Sequence, residues 1–404
     1  MQPKRYSKKE HGIELDHIDA QALYVLKRLR TFGYTSYLVG GGIRDLLLKK
    51  KPKDFDIATL AKPSEIKSLF PSSILIGKRF RLAHIRFRKK IIEVSTFRSG
   101  DILNGDLITE DNIWGSPEED VLRRDFTING LFYDSEKEVV IDYVGGYLDI
   151  KNKLLRTIGS PLLRFKQDPV RMIRCLKFQA RFAFAIDKET DLALTECKEE
   201  IIKSSPTRIL EEMLRMLESG SSKSFFQLMN THGLMQQILP EMAKVLKTKD
   251  GGIIYNYLEV VDKTIPYTPL ERPVLFACLL FPLLERSLQV HRGKGFHLGD
   301  AYQKSNFLIN KMFCSFFCIP RRFRIRTVEL LVSHYRLTIF YKKKRGCINL
   351  FRIPEFHLVM QFIYLRSQVE VGDADLEQWV SMYEKMHKKR AKKDGLQKSG
   401  FAKS

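Results

Sequence analysis

Ser36-Tyr37-Leu38-Val39-Gly40-Gly41-Gly42-Ile43-Arg44-Asp45 is followed, eight residues later, by Asp54-Phe55-Asp56-Ile57-Ala58-Thr59. Residues 36–39 read as a short buried strand, the three glycines as a turn, and residues 43–48 as the start of a helix. Glycine has no Cβ, so the backbone there can approach a phosphate, and the helix N-terminus offers free N–H groups. Such a turn is also common with no ligand at all, so the acids downstream sharpen the reading. Residues 55–59 have the composition of a second strand. Side chains two apart on a strand share a face, which puts Asp54 and Asp56 side by side. Two carboxylates so placed repel, and a divalent cation relieves the repulsion; Mg²⁺ favours carboxylate oxygens together with substrate phosphates. Asp54 and Asp56 are therefore read as metal ligands.

Outward from this stretch, residues 16–30 carry apolar side chains at helical spacing and end near Gly33, and residues 63–70 form a short helix with Pro63 near its start. Residues 74–76, 82–87 and 91–97 are rich in β-branched and aromatic residues and read as strands. Glu93 lies in the last of these, and on residue type alone it is a solvent-facing strand acid. Residues 99–119 form a long loop, which inside a compact domain marks a functional segment. Residues 121–133 are expected to be helical and 139–144 a strand. From residue 168 to about 382 the spacing is mostly helical, as in 170–182, 206–217 and 223–235. The fold class is thus α+β over the first 150 or so residues, followed by an all-helical array and a polar, basic, disordered tail.

The chain has 404 residues, of which 44% are hydrophobic and 29% charged, as in soluble globular proteins. It has no apolar run of about 18 residues and no apolar segment behind the basic start, so neither a membrane span nor a secretory signal is expected. The six cysteines are too scattered for a disulfide framework and are expected to be reduced and packed in the core, which suggests a cytoplasmic protein. The net charge is +22, unevenly placed. Residues 1–10 carry +3, residues 320–352 carry +9 and residues 385–404 carry +7, leaving +3 for the other 341. A nearly neutral body with basic C-terminal segments points to a polyanion, foremost nucleic acid.

The two opening motifs resemble motif A of the class II template-independent nucleotidyltransferases, the bacterial poly(A) polymerases and CCA-adding tRNA nucleotidyltransferases. Arg123-Arg124-Asp125-Phe126-Thr127-Ile128-Asn129 resembles their motif B, and Asp168-Pro169-Val170-Arg171 their base-reading motif, continued by residues 174–178. The match is ordered and spans residues 35 to about 240. The resemblance implies a small polymerase β-like mixed sheet with helices. It also implies roles. Asp54 and Asp56 hold two Mg²⁺ ions, and Glu93 is the third acidic position, helping to activate the RNA 3′-hydroxyl. Gly40, Gly41 and Arg44 contact the triphosphate, Arg124 and Asp125 the ribose, and Asp168 and Arg171 the base edge. The reaction implied is in-line attack of an RNA 3′-hydroxyl on the α-phosphate of ATP, with release of pyrophosphate. The family usually has Glu where this chain has Gln167, which puts nucleotide selectivity in question.

A carboxylate beside a guanidinium matches N6–H₂ and N1 of adenine, and equally N4–H₂ and N3 of cytosine. The pair rejects G and U but does not separate A from C. Residues 75–85 and 111–120 resemble the poly(A) polymerase branch, and no His-Asp dipeptide marks an appended phosphohydrolase domain. The reading is a poly(A) polymerase acting on RNA 3′ ends of mRNA or other transcripts. CCA or A addition to tRNA is the alternative, and a non-catalytic RNA-binding protein of the same fold a more distant one. The expected organisation is a basic extension (1–14), a catalytic head (15–160), a base-reading neck (161–245), an RNA-binding body (246–384) and the tail (385–404). Arg321, Arg322, Arg324 and Arg326, with Lys342, Lys343, Lys344 and Arg345, would grip RNA of any sequence through its phosphates, with Phe323, Phe340 and Tyr341 as stacking or core groups. Deleting residues 385–404 is expected to weaken RNA binding and to flatten its salt dependence without changing nucleotide choice. Filter-binding titrations at low and high salt check this, and equal affinities at both would remove the tail from the grip.

Overall fold

In the computed structural model, which describes residues 2–77, 82–88, 90–99, 113–289, 297–342, 355–370, 372–373 and 376–381, the chain begins as part of a sheet. Strand β1 (Lys4–Tyr6) is followed by the single turn α1 (Lys8–His11) and by α2 (Ala20–Thr31). Asp19 caps α2 by accepting from the Gln21 N–H at 2.8 Å, and the helix buries Ala22, Val25, Leu26 and Leu29. Next come β2 (Ser36–Val39), α3 (Gly41–Leu47), β3 (Asp56–Thr59), α4 (Pro63–Leu69), β4 (Ile74–Ile76), β5 (Leu82–Phe87) and β6 (Lys90–Thr96). A two-stranded ribbon, β7 (Arg98–Ser99) with β8 (Ile113–Trp114), leads to α5 (Pro117–Leu122). Strands β9 (Leu131–Asp134) and β10 (Val139–Asp142) then return to the main sheet.

That sheet has eight strands in the order β1-β10-β9-β2-β3-β6-β5-β4. Only β3 and β6 run parallel; every other neighbouring pair is antiparallel. The mixed sheet implied by the resemblance is therefore present. Its buried face holds Val39, Ala58, Phe97, Phe132 and Ile141, closed by Val121 and Ile158, with the Phe97 and Phe132 rings edge-to-face at 6.0 Å.

Two expectations change. Residues 121–133 are not one helix. A capping box of Ser116 and Glu119 starts α5, which stops at Leu122, and a one-turn 3-10 helix (Thr127–Asn129) precedes β9. All four residues of β9 are buried, so a strand covered on both faces presents a continuous apolar run that mimics a buried helix. The basic N-terminal stretch is likewise no loose extension. Lys4–Tyr6 pairs with Val140–Asp142 as the sheet's edge strand, Tyr6 stacks on Tyr147 at 3.8 Å, and His11 Nε2 lies 3.0 Å from the Glu138 carbonyl.

After α6 (Gly146–Lys151) the short strand β11 (Leu154–Leu155) leads to α7 (Pro161–Gln167) and α8 (Val170–Phe182). Asp168 and Pro169 separate these two helices, with Asp168 outside the helical region at φ −145° and ψ 87°, as suits a residue before proline. Strand β12 (Ala185–Ile186) pairs with β11, and α9 (Lys188–Glu196) follows. The chain divides into compact units Met1–Glu200 and Ile201–Ser404, so the division falls inside the stretch 161–245 expected as a neck.

The second unit is helical: α10 (Pro206–Leu217), α11 (Ser222–Thr231), α12 (Leu234–Ile238), α13 (Pro240–Val245), α14 (Lys249–Thr264), α15 (Arg272–Gln289), α16 (Leu298–Phe313), α17 (Arg321–Lys342) and α18 (Phe356–Val369). Asp262 of α14 caps α11, accepting from the Ser222 and Lys223 N–H groups at 2.7 and 2.9 Å. Among the described residues no helix is long and apolar enough to cross a membrane. The described cysteines are all free. Cys175, Cys197 and Cys278 are core residues as expected, but Cys314 and Cys318 are exposed where α16 ends and a loop begins.

Candidate active site

Register brings the motifs together within the first unit. In the parallel pair, Asp56 stands opposite Glu93, and on its other side Asp56 stands opposite Val39, the residue before the glycine turn. Strand β9 joins the same end, with the Gly40 N–H donating to the Leu131 carbonyl at 3.3 Å. The strand β3 begins at Asp56, so Asp54 lies in the preceding loop rather than on a shared strand face, and it is exposed. The two acids nevertheless act on one another. Burial, then Glu93, then Asp54 raise the Asp56 carboxyl to about 6, against the opposing pull of Arg124. No ion pair among the described residues neutralises Asp54 or Asp56. Crowded carboxylates with no ion pair of their own suit a divalent ion. Mg²⁺ ordinarily takes one or two protein carboxylates beside substrate phosphates; among the described residues no set of three or more His, Cys, Asp and Glu is arranged to hold a metal. Glu93 is half-exposed, and its Oε1 is 3.3 Å from His84 Nε2 on β5. The sequence reading gave His84 no role; its place directly across the antiparallel β5–β6 pair is what reveals it.

The glycine turn is needed where the backbone crowds. Gly40 has φ +70° and ψ −132°, a conformation essentially closed to other residues. A Cβ on Gly42 would lie 3.2 Å from the Asp54 carbonyl, so the helix start is held against the loop that carries that acid. Gly41 borders the Arg44 guanidinium, with a Cβ there 3.4 Å from Nη2.

Arg44 is buried. Its Nε and Nη2 donate to Asp45 Oδ1 at 2.9 and 2.7 Å, its Nη1 donates to Asn129 Oδ1 at 2.6 Å, and its guanidinium lies over the Phe182 ring at 4.7 Å. Burial lowers its pKa, with Asp45 opposing. Arg124 is forked on Asp120 Oδ2 at 3.2 and 2.9 Å, and its Nη1 reaches the Asn129 carbonyl at 3.3 Å. Asp125 is buried and accepts from Arg174 at 2.7 Å, from Asn129 at 3.1 Å and from the Phe126 N–H at 2.8 Å. Burial alone would raise its pKa, but Arg174, Asn129 and Arg171 prevail and hold it at about 2.

Of the pair expected to read the base, Arg171 is anchored to motif B. Arg171 is buried and donates through Nη2 to the Arg123 carbonyl at 3.0 Å; its N–H donates to the carbonyl of Asp168, a half-buried residue, at 3.0 Å. Arg164, which the sequence reading passed over, is also buried. It donates to the Ile158 carbonyl at 2.9 Å, to the Leu122 carbonyl, and to Gln167 Oε1 at 3.4 Å. Burial, with Arg171 and Arg123 nearby, lowers it to about 10.

In the second unit the expected RNA-gripping residues separate. Arg321 and Arg322 are exposed. Arg324 bridges to Asn306 and Asn310 of α16 at 3.0 and 2.8 Å. Arg326 pairs with Glu355 and Glu271 at 2.8 Å each, and Glu355 first, then Glu271, raises its pKa. Those two arginines thus tie helices together. Phe323 packs on Phe276 at 5.1 Å, as a core ring would. Lys342 ends α17, while Lys343, Lys344, Arg345 and the tail lie outside the described residues.

Comparisons with known proteins agree with this architecture. Residues 36–156 match the family model described as the poly A polymerase head domain, and residues 183–246 match the one described as the probable RNA and SrmB- binding site of polymerase A. The poly(A) polymerase I of Salmonella typhi is 36% identical over 382 residues, 90% of this chain and 81% of that protein. A CCA-adding enzyme of Bacillus velezensis is 36% identical over 227 residues, 54% of this chain and 55% of that protein. The Bacillus stearothermophilus CCA-adding enzyme solved in complex with CTP shares the fold with a TM-score of 0.65 at 23% identity, over 92% of this chain and 82% of that one.

An acid titration of unfolding isolates Asp125. Its depressed pKa contributes stability that is fully present above its unfolded value near 3.8 and is lost as pH falls through about 2. The stability difference between the wild type and Asp125→Asn is therefore expected to narrow as pH drops from about 4 to about 2, as measured by urea midpoints; a difference that stays constant through that window would contradict the pairing.

From the matched head domain and the relatives aligned over nine-tenths of the chain, this protein belongs to the class II template-independent nucleotidyltransferases, the family of the bacterial poly(A) polymerases and CCA-adding enzymes.

Proposed function

We propose that this nucleotidyltransferase is a poly(A) polymerase that adds AMP from ATP to RNA 3′ ends without a template. The observation that carries the choice is the extent of similarity. Poly(A) polymerase I relatives align over 90% of the chain, whereas the CCA-adding relative of equal identity aligns over 54%. Asp54 and Asp56 would hold Mg²⁺, which when bound supplies the positive charge that favours an attacking alkoxide and a leaving pyrophosphate. Glu93, 3.3 Å from His84, takes the proton of the RNA 3′-hydroxyl in this reading. The turn from Gly40 to Arg44 receives the triphosphate, and Arg124 and Asp125 orient the ribose. Asp168 accepts from the exocyclic amine of adenine while Arg171 donates to the neighbouring ring nitrogen. The attacking oxygen forms its bond to the α-phosphorus as the bond to the β-phosphate oxygen breaks. A second reading, C and A addition to tRNA, keeps standing on the same two side chains, because cytosine presents the same donor and acceptor order.

Four nucleoside triphosphates offered separately on an unstructured oligo-RNA and on a tRNA lacking its 3′ end distinguish the two. Long extension of the oligo-RNA with ATP alone is expected; short C-then-A addition confined to tRNA would replace the polymerase reading. Asp54→Ala and Asp56→Ala are each expected to abolish addition with RNA affinity retained. Loss of RNA binding in both would contradict their assignment to the chemistry.

A further inference from the structure

Arg44 and Asp125 stand far apart in sequence, and Asn129 sits between them in space. Asn129 is buried, 7% exposed. Its Oδ1 accepts from Arg44 Nη1 at 2.6 Å, 85 positions away in the chain, and its Nδ2 donates to Asp125 Oδ1 at 3.1 Å. Its main-chain carbonyl accepts from Arg124 Nη1 at 3.3 Å. Three of the groups read as nucleotide contacts therefore touch this one residue. Its own backbone is fixed by the one-turn helix Thr127–Asn129, where its N–H donates to the Phe126 carbonyl at 2.9 Å. The far side of each partner is fixed as well: Arg44 is forked on Asp45, and the second oxygen of Asp125 takes Arg174 at 2.7 Å.

The chemistry of the bridge demands an amide. One side chain must accept from a cation and donate to a carboxylate, and the two partners orient the amide so that oxygen faces Arg44 and nitrogen faces Asp125. Aspartate has the same shape and would keep the bond to Arg44. It has no donor for Asp125, and it would set two carboxylates face to face in a buried place.

We propose that Asn129 is a positioning residue that locks Arg44 and Asp125 into one unit, so that the phosphate and ribose ends of a nucleoside triphosphate are received at a fixed spacing. This rests on the reading of Arg44 and Asp125 as nucleotide contacts. A residue with only a structural role would lower stability and weaken every nucleotide alike. A positioning role predicts a loss concentrated in ribose recognition.

The test uses the full chain as wild type, Asn129→Asp, Asn129→Ala and Asp125→Ala. Dissociation constants for ATP and 2′-deoxy-ATP are measured by titration calorimetry with Mg²⁺ present, and kcat and KM for addition to an oligo-RNA are measured separately. Losing one hydrogen bond to a charged group corresponds to roughly a 10- to 100-fold effect. Both Asn129 variants are expected to reduce the preference for ATP over 2′-deoxy-ATP by that range, in binding and in KM more than in kcat. If Asn129→Asp does not fold, Asn129→Ala, which adds no charge, decides by the same ratio. A preference unchanged in the Asn129 variants but abolished in Asp125→Ala would overturn the proposal alone. A preference unchanged in Asp125→Ala would overturn the ribose reading of that residue, and the proposal with it.

Discussion

The parallel pairing of β3 with β6, one parallel contact in an otherwise antiparallel sheet, is the constraint on which the site depends. Side chains in register on adjacent strands sit about 5 Å apart, so pairing Asp56 with Glu93 fixes two acids before any loop is placed. The antiparallel neighbour β2 must then deliver its C-terminal end, and hence the glycine turn, to the same rim. Strand β9 enters from that rim too, with Leu131 bonded to Gly40 and Asn129 just ahead of it in the chain. A shift of one residue in β6 would turn Glu93 to the other face and remove it from Asp56 altogether.

Around this rim the structure buries guanidinium groups that would ordinarily seek water. Arg44, Arg164 and Arg171 are held by carbonyls, amides and carboxylates from several segments. Guanidinium is less strongly hydrated than ammonium and offers planar, fixed donors, so it can serve as a rigid connector where lysine could not. Recognition without a template requires such rigidity. Choice among bases then rests on the direction of a few hydrogen bonds, and a loosely held donor could follow the wrong base edge.

Much of this was legible beforehand, for identifiable reasons. The strand 36–39 and the helices 170–182 and 206–217 have the observed bounds because clear stops flank them: the glycines at 40–42, Pro169, and Pro206 at a helix start. Spacing singled out Asp54 and Asp56 as a pair, although the strand face invoked for them belongs to Asp56 alone. Strand β9 was missed because full burial erases the alternation that marks a strand. Arg164, His84 and Asn129 were missed for another reason. Their roles come from side-chain contacts that the fold sets up, such as Asn129 with Arg44 and Arg164 with Leu122, and composition carries no trace of them. Arg324 and Arg326 show the converse, since a basic run reads as a surface for phosphate until its carboxylate and amide partners on other helices are seen.

The edge strand at the N-terminus bears on how the chain is made. Lys4–Tyr6 leaves the ribosome well before its partner Val140–Asp142, which is more than 130 residues further along. At ordinary elongation rates of ~5–20 residues per second the gap lasts on the order of ten seconds. During that interval the first strand has no partner, and the sheet cannot be assembled in the order of synthesis. The head can close only after residue 142 emerges, when Lys4–Tyr6 can pair with β10 and cover its edge.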